Sequence, residues 1–332
     1  MYRSISTLND SLFVSILLWV AKLFVITMLG WIVFDKVIDY QNSGQIFSNF
    51  KDSLFNKGRV WSLIVCLTLT FLNWFFESKK WQQLLRPYVL ISTLKAAEGV
   101  LIGLSTGIVT PSRLGEYGGR VWNLPKGSKI QGMHSNFLSS LSQNIINVFF
   151  GICGAVYYIN NYLEWSRFIR WSLYGGSLVF LMLLGVLYYG HNTLKTSIVN
   201  RLPDKIFARF GSYFEETSSF KNKILIKALI LSAMRYLVFT GQYALLLYYF
   251  GVTIPFLAMI SGIFLVFLIQ SGIPLPPFLS MLARVEIAVI IWSVFERDVM
   301  IILSATFSLW IINLLIPSLI GAIFLVKKPI LT

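Results

Sequence analysis

One charge cluster stands out by its spacing: a glutamate with an arginine three residues before it and another four residues after it. These are Arg113, Glu116 and Arg120, and they follow directly on Thr110, Pro111 and Ser112. If a helix begins near Ser112, the i, i+3 and i, i+4 spacings put all three charges on one face. Unpaired charges buried away from water cost several kcal/mol, so Arg–Glu–Arg pairing is expected. One carboxylate between two guanidiniums leaves a surplus positive charge. A planar guanidinium suits a phosphate, which it can bind through two parallel hydrogen bonds. Ser112, Thr110 and the first free N–H groups of the helix would add donors at a terminus that favours an anion. The chemistry this predicts is capture of a phosphate-bearing headgroup. The plainer alternative is a salt-bridge network that only locks a turn.

A second constellation holds Pro274, Pro276, Pro277, Arg284 and Glu286. Arg113, Glu116, Arg120, Arg284 and Glu286 together would line one central basic cavity. Gln143 and Asn147 are spaced i, i+4 and share a helix face, either as cavity wall or as helix–helix hydrogen-bonding groups. Other chemistries lack their residues. The only histidines are His134 and His191, so no His-rich metal site is expected. Cys66 and Cys153 make no CxxC. No Walker motif is present, and Asp35 with Asp39 is too scattered to hold a metal for sugar-nucleotide chemistry. No cofactor and no catalytic residue is expected.

Composition says what must position these groups. Of 332 residues, 56% are hydrophobic, 16% aromatic and 13% charged, against a soluble norm of roughly 25% charged. Mean hydropathy is +0.71. These values argue against a soluble enzyme, a disordered chain and a disulfide-stapled module. The net charge of +14 sits mostly between apolar stretches. The positive-inside rule and anionic headgroups account for it without nucleic acid.

The chain reads as an all-α polytopic membrane protein with about six spanning helices and two broken, re-entrant helix pairs. Spans are expected near 13–34, 60–76, 134–159, 171–190, 224–250 and 300–325. The first is too long for a signal-peptide apolar region and is read as a retained helix, with Lys22 snorkelling or facing inward. The second is expected to end at Glu77 and the basic pair Lys79 and Lys80. Segment 88–130 is interrupted by Lys95, Glu98, Gly99, Gly103, Gly107 and Pro111. Such broken backbone is tolerated at membrane depth only inside protein or against a wet cavity, so this segment and 256–295 are read as re-entrant. Residues 202–214 place Leu202, Ile206, Phe207, Phe210 and Phe214 opposite Arg201, Lys205 and Arg209, as in an amphipathic surface helix or a solvated loop helix. Corresponding elements recur at an offset of roughly 160 residues. With three crossings in each half, this suggests an inverted repeat divided as 1–165 and 166–332. The N-terminus, 77–87, 111–130, 191–223 and the C-terminus would then share one basic, cytoplasmic side.

At TPSRLGEYGGR the chain resembles the lysylphosphatidylglycerol synthase transmembrane-region family of flippase-like proteins. The match to its Pro-x-Arg-x-Gly-Glu-x-x-x-Arg signature is carried by Pro111, Arg113, Gly115, Glu116 and Arg120. Two departures stand out. Ser142 and Gln143 occupy the region of the family's Glu-Arg pair, and the late glycine-rich segment is reduced to PLPPFLSMLARVE, keeping Pro277 and Glu286. The sequence stops at Thr332, so the soluble aminoacyl-transferase domain of some members is not expected. The resemblance implies movement of lipids or lipid-linked groups between leaflets. Residues and resemblance together predict a bacterial inner-membrane flippase for an anionic or phosphate-bearing lipid, polyprenyl-linked lipids included. Arg113 and Arg120 would bind the phosphate, with Arg284 and Glu286 as a gate. The partners are membrane lipids, and the oligomeric state is not legible. The alternatives are a membrane enzyme using Glu116 or Glu286 as a base on lipid or polyprenyl-phosphate headgroups, and a non-catalytic envelope scaffold.

Overall fold

A computed structural model describes residues 57–108, 110, 113–190, 220–271, 277–296 and 298–327. All regular structure among them is helical. Five helical stretches are long and apolar enough to cross a bilayer: α1 (Val60–Leu85), α4 (Lys129–Tyr162), α5 (Arg167–Tyr189), α6 (Asn222–Tyr249) and the final stretch Val299–Val326. That last stretch is α9 (Val299–Trp310), a π-turn (Ile311–Leu315) and α10 (Ile316–Val326). The expected span at 13–34 and the amphipathic segment 202–214 lie outside the described residues.

Between the long helices stand shorter ones: α2 (Thr93–Ile108), α3 (Gly115–Arg120), α7 (Phe256–Ser271) and α8 (Pro277–Trp292). At 1.5 Å per residue a 16-residue helix reaches about 24 Å, short of the ~30 Å hydrocarbon core. Neither α2 nor α7 spans it alone. α2 ends at Ile108 and α3 begins at Gly115, while α8 begins at Pro277, a first-turn position that tolerates proline. The first broken segment is lopsided, since its return limb is the six-residue α3 followed by a turn at Lys126–Ser128. Contact partners separate the two broken segments. α2 packs against α10, whereas α8 packs against α9, so they touch opposite halves of the same final span.

Two expectations need correction. α1 does not stop at residue 76 but runs to Leu85, so Glu77 and Lys80 lie inside the bundle, 2% and 1% exposed. Charges end an apolar window in a sequence, yet a helix continues through them where neighbouring helices supply counter-charges. The helix after Pro111 starts at Gly115 rather than near Ser112. Arg113 precedes it at φ 57°, a left-handed conformation that costs a non-glycine residue roughly 1–2 kcal/mol. The final span forms where it was expected and contains the π-turn, a feature frequent at functional sites.

The main core joins α4, α6, α7, α8 and α9 around Tyr158, Tyr243 and Trp292. Each large ring has its polar handle satisfied. The Tyr158 hydroxyl donates to the Ile291 carbonyl at 2.6 Å, and Trp292 Nε1 donates to Tyr243 Oη at 3.1 Å. Helix α5 is peripheral; only Leu184 and Tyr188 along it are buried.

Glycine sets how closely α3 approaches α2. A Cβ on Gly119 would overlap Thr106 Oγ1 and come within 2.8 Å of Gly103 Cα and 2.9 Å of the Ile102 carbonyl oxygen, mostly backbone that cannot swing away. On Gly118 it would meet nothing. Gly119→Ala is therefore expected to lower stability by roughly 1–3 kcal/mol, as overpacking does, while Gly118→Ala leaves it unchanged. Thermal unfolding of the two purified variants in detergent checks the contrast.

Candidate functional site

The charged residues converge on one cavity of about 460 Å³. Every long helix except α5 contributes to its wall, and the two broken segments supply the rest. Glu77 and Lys80 come from α1, Arg113 from the connector before α3, and Glu116 and Arg120 from α3. Gln143 and Asn147 come from α4, Arg235 from α6, Arg284 from α8 and Asn313 from the π-turn. Leu104, Ile108, Phe239, Phe267 and Trp310 make the apolar part.

The centre of the site is Glu77. Its Oε1 accepts from Arg120 Nη2 at 2.8 Å and from Ser139 Oγ at 3.3 Å. Its Oε2 is ion-paired with Lys80 Nζ at 2.9 Å and with Arg235 Nη1 at 3.0 Å. Arg120 Nη2 also reaches Glu116 Oε1 at 2.7 Å, and Glu116 Oε2 holds Arg113 Nη2 at 2.9 Å. The expected Arg–Glu–Arg pairing is present, but as the outer part of a larger network. Neutral groups complete it. Arg235 Nε donates to Asn73 Oδ1 at 2.9 Å, and Asn73 Nδ2 donates to Asn313 Oδ1 at 2.7 Å. Gln143 Oε1 accepts from Lys80 and Arg235, and its amide nitrogen donates to Asn147 Oδ1 at 3.1 Å. The Arg235 guanidinium lies 5.5 Å from the Trp74 ring centre, within cation–π range.

The residues singled out in the sequence are thus unevenly placed. Arg113, Glu116, Arg120, Arg284, Gln143 and Asn147 meet at the cavity. Thr110 does not line it; its hydroxyl donates to the Thr106 carbonyl and accepts from the Gly115 N–H at 2.8 Å, closing the connector. Ser112 lies outside the described residues. Glu286 is buried, 4% exposed, but is not part of the cavity wall. Of the two residues expected to form a gate, Arg284 alone lines the cavity. Glu77, Lys80 and Arg235 were missed as site residues. The available signal was three charged residues with the i, i+3 pair Glu77–Lys80 among them, at the end of an apolar stretch, and a lone arginine within the span 224–250.

Among the described residues, two carboxylates face five cationic side chains in this wall: Lys80, Arg113, Arg120, Arg235 and Arg284. Such a surplus of positive charge suits an anion. Glu77 differs in weight from its neighbours. Removing one partner of a buried ion pair costs about 3–5 kcal/mol, and Glu77 compensates three cations. Arg113 is 44% exposed and holds one contact, a class of pair that contributes about 0–1 kcal/mol. Glu77→Gln should therefore lower stability severely and Arg113→Gln barely; denaturant unfolding in detergent micelles reads the difference.

Comparison with known families matches the lysylphosphatidylglycerol synthase TM region over residues 19–321. No curated protein and no solved structure matches the chain. The matched range contains every residue of the cavity wall. The chain belongs to the lysylphosphatidylglycerol synthase TM region family, membrane proteins of lipid metabolism or transport.

Proposed function

We propose that this membrane protein moves a phosphate-bearing lipid between leaflets, the headgroup passing through the basic cavity while the tails stay in the bilayer. One observation carries the reading: five cations and two carboxylates line a cavity of about 460 Å³ inside a bundle of apolar helices. An ion at the bilayer midplane is very costly without compensation. A positively charged wet cavity lowers that barrier for an anionic headgroup. Arg113, half exposed, offers the accessible guanidinium. Arg120, tied to both carboxylates, holds the network in place.

The broken segments support alternating access. They touch opposite halves of the final span, as hairpins entering from opposing leaflets would, and broken helices at a midplane site are typical of inverted-repeat transporters. On this reading the halves 1–165 and 166–332 are inverted repeats. The membrane is the bacterial cytoplasmic one, with both termini on the cytoplasmic side, where Arg86, Lys129 and Lys327 fall at helix ends. A headgroup-modifying enzyme would need a carboxylate free to take a proton. All four oxygens of Glu77 and Glu116 are ion-paired, which favours transport over that alternative.

The test is reconstitution into liposomes with phosphatidic acid labelled on an acyl chain and an impermeant quencher. Labelled lipid should become accessible faster than in protein-free liposomes, and Arg113→Gln should slow the exchange roughly tenfold, as loss of one charge-assisted contact would. An exchange rate equal to that of empty liposomes overturns the transport reading.

A further inference from the structure

The geometry points to a headgroup ending in a phosphate monoester and lacking an ammonium group, its phosphate seated between Arg113 and Arg284. This rests on the reading of the cavity as a headgroup site and narrows it to one charge class. Three observations support it.

The first concerns the acids. A carboxylate is the counter-charge that offsets an ammonium most fully in a cavity already rich in cations, and among the described residues the wall has none to spare. Glu77 Oε1 is held by Arg120 and its Oε2 by Lys80 and Arg235; Glu116 Oε1 is held by Arg120 and its Oε2 by Arg113. A cationic or aminoacylated headgroup would enter a wall with a surplus of three positive charges and find no free counter-charge.

The second concerns Arg284. Among the described residues it makes no ion pair and no hydrogen bond, and its Nε is buried without an acceptor. It shares the cavity wall with Arg113, which has the same sign. A guanidinium held in a membrane bundle in one cavity with another guanidinium, with no ion-pair partner among the described residues, is unfavourable until an anion arrives. The third is Arg120. Its side chain is 6% exposed, yet Nε and Nη1 have no acceptor. The wall therefore holds cationic donors in excess of acceptors on more than one side.

A dianion answers this arrangement better than a monoanion. A phosphate monoester carries about −1.5 to −2 at neutral pH and offers three acceptor oxygens. Placed between Arg113 and Arg284 it replaces their mutual repulsion with two attractions, each capable of bidentate hydrogen bonding. A phosphodiester lipid supplies one negative charge and one fewer terminal oxygen. A zwitterionic lipid brings its ammonium along.

The experiment is native mass spectrometry and thermal unfolding of the full chain in detergent. The probes are phosphatidic acid, phosphatidylglycerol, phosphatidylcholine, aminoacylated phosphatidylglycerol and inorganic phosphate. Phosphatidic acid should bind most tightly, phosphatidylglycerol next, and the last two lipids at least tenfold more weakly. Arg284→Gln should weaken phosphatidic acid binding roughly tenfold to a hundredfold, and Arg284→Lys should weaken it less. Without ligand, Arg284→Gln should melt higher than the parent, because it removes a buried charge with no partner. An arginine with a purely structural role would give the opposite shift.

Equal binding of phosphatidic acid and the aminoacylated or zwitterionic lipid overturns the inference. So does an Arg284→Gln variant that melts lower and keeps the preference. Inorganic phosphate protecting as well as phosphatidic acid would assign the site to a free phosphate and overturn its lipid part. Preference for phosphatidic acid together with no headgroup exchange in liposomes would support this inference and remove only the transport reading.

Discussion

The carboxylate of Glu77 is the constraint on which the rest of the bundle turns. It is buried among apolar helices and ion-paired to Lys80 on its own helix, Arg120 on the first broken segment and Arg235 on α6. An isolated carboxylate at that depth would be prohibitively costly, and so would each of the three cations. Held together, they fix three elements in one arrangement. α1 and α6 must be neighbours, and α3 must reach inward far enough to deliver Arg120. The close approach of α3 to α2 at Gly103 and Gly119 makes that reach sterically possible.

The network is nevertheless unbalanced, and the imbalance gives the cavity its character. A structural lock needs equal numbers of opposite charges. Here the acids are saturated while Arg284 stands apart and Arg120 keeps unpaired donors. Such a surplus lowers stability, so its presence calls for a compensating role. On the proposed reading, stability is exchanged for affinity towards an anion, in the way that functional sites elsewhere depart from optimal packing. The left-handed backbone at Arg113 fits the same pattern: local strain at the residue that presents the most accessible guanidinium.

The final span shows how one helix can serve two broken segments. Its π-turn divides it into a half facing α8 and a half facing α2. The extra residue in that turn shifts the helix face, so Asn313 reaches Asn73 and, through it, Arg235. Hydropathy marked this stretch as a plain apolar span. The π-turn has no strong local signature, because a wider helical turn is stabilised by what packs on it rather than by its own residues.

What the sequence determined by itself is everything set by short-range periodicity and composition. That covers the helical membrane class, the five described spans, the Arg113–Glu116–Arg120 pairing at i, i+3 and i, i+4, and the shared face of Gln143 and Asn147. Tertiary structure decided the partners that lie far apart along the chain. Arg120 meets Glu77 across 43 positions and Arg235 meets Asn73 across 162. In a sequence, Glu77 and Lys80 look like the wet end of a helix, because charge without a visible partner belongs in water. Only the folded bundle supplies those partners, and with them the reason that the charges sit inside.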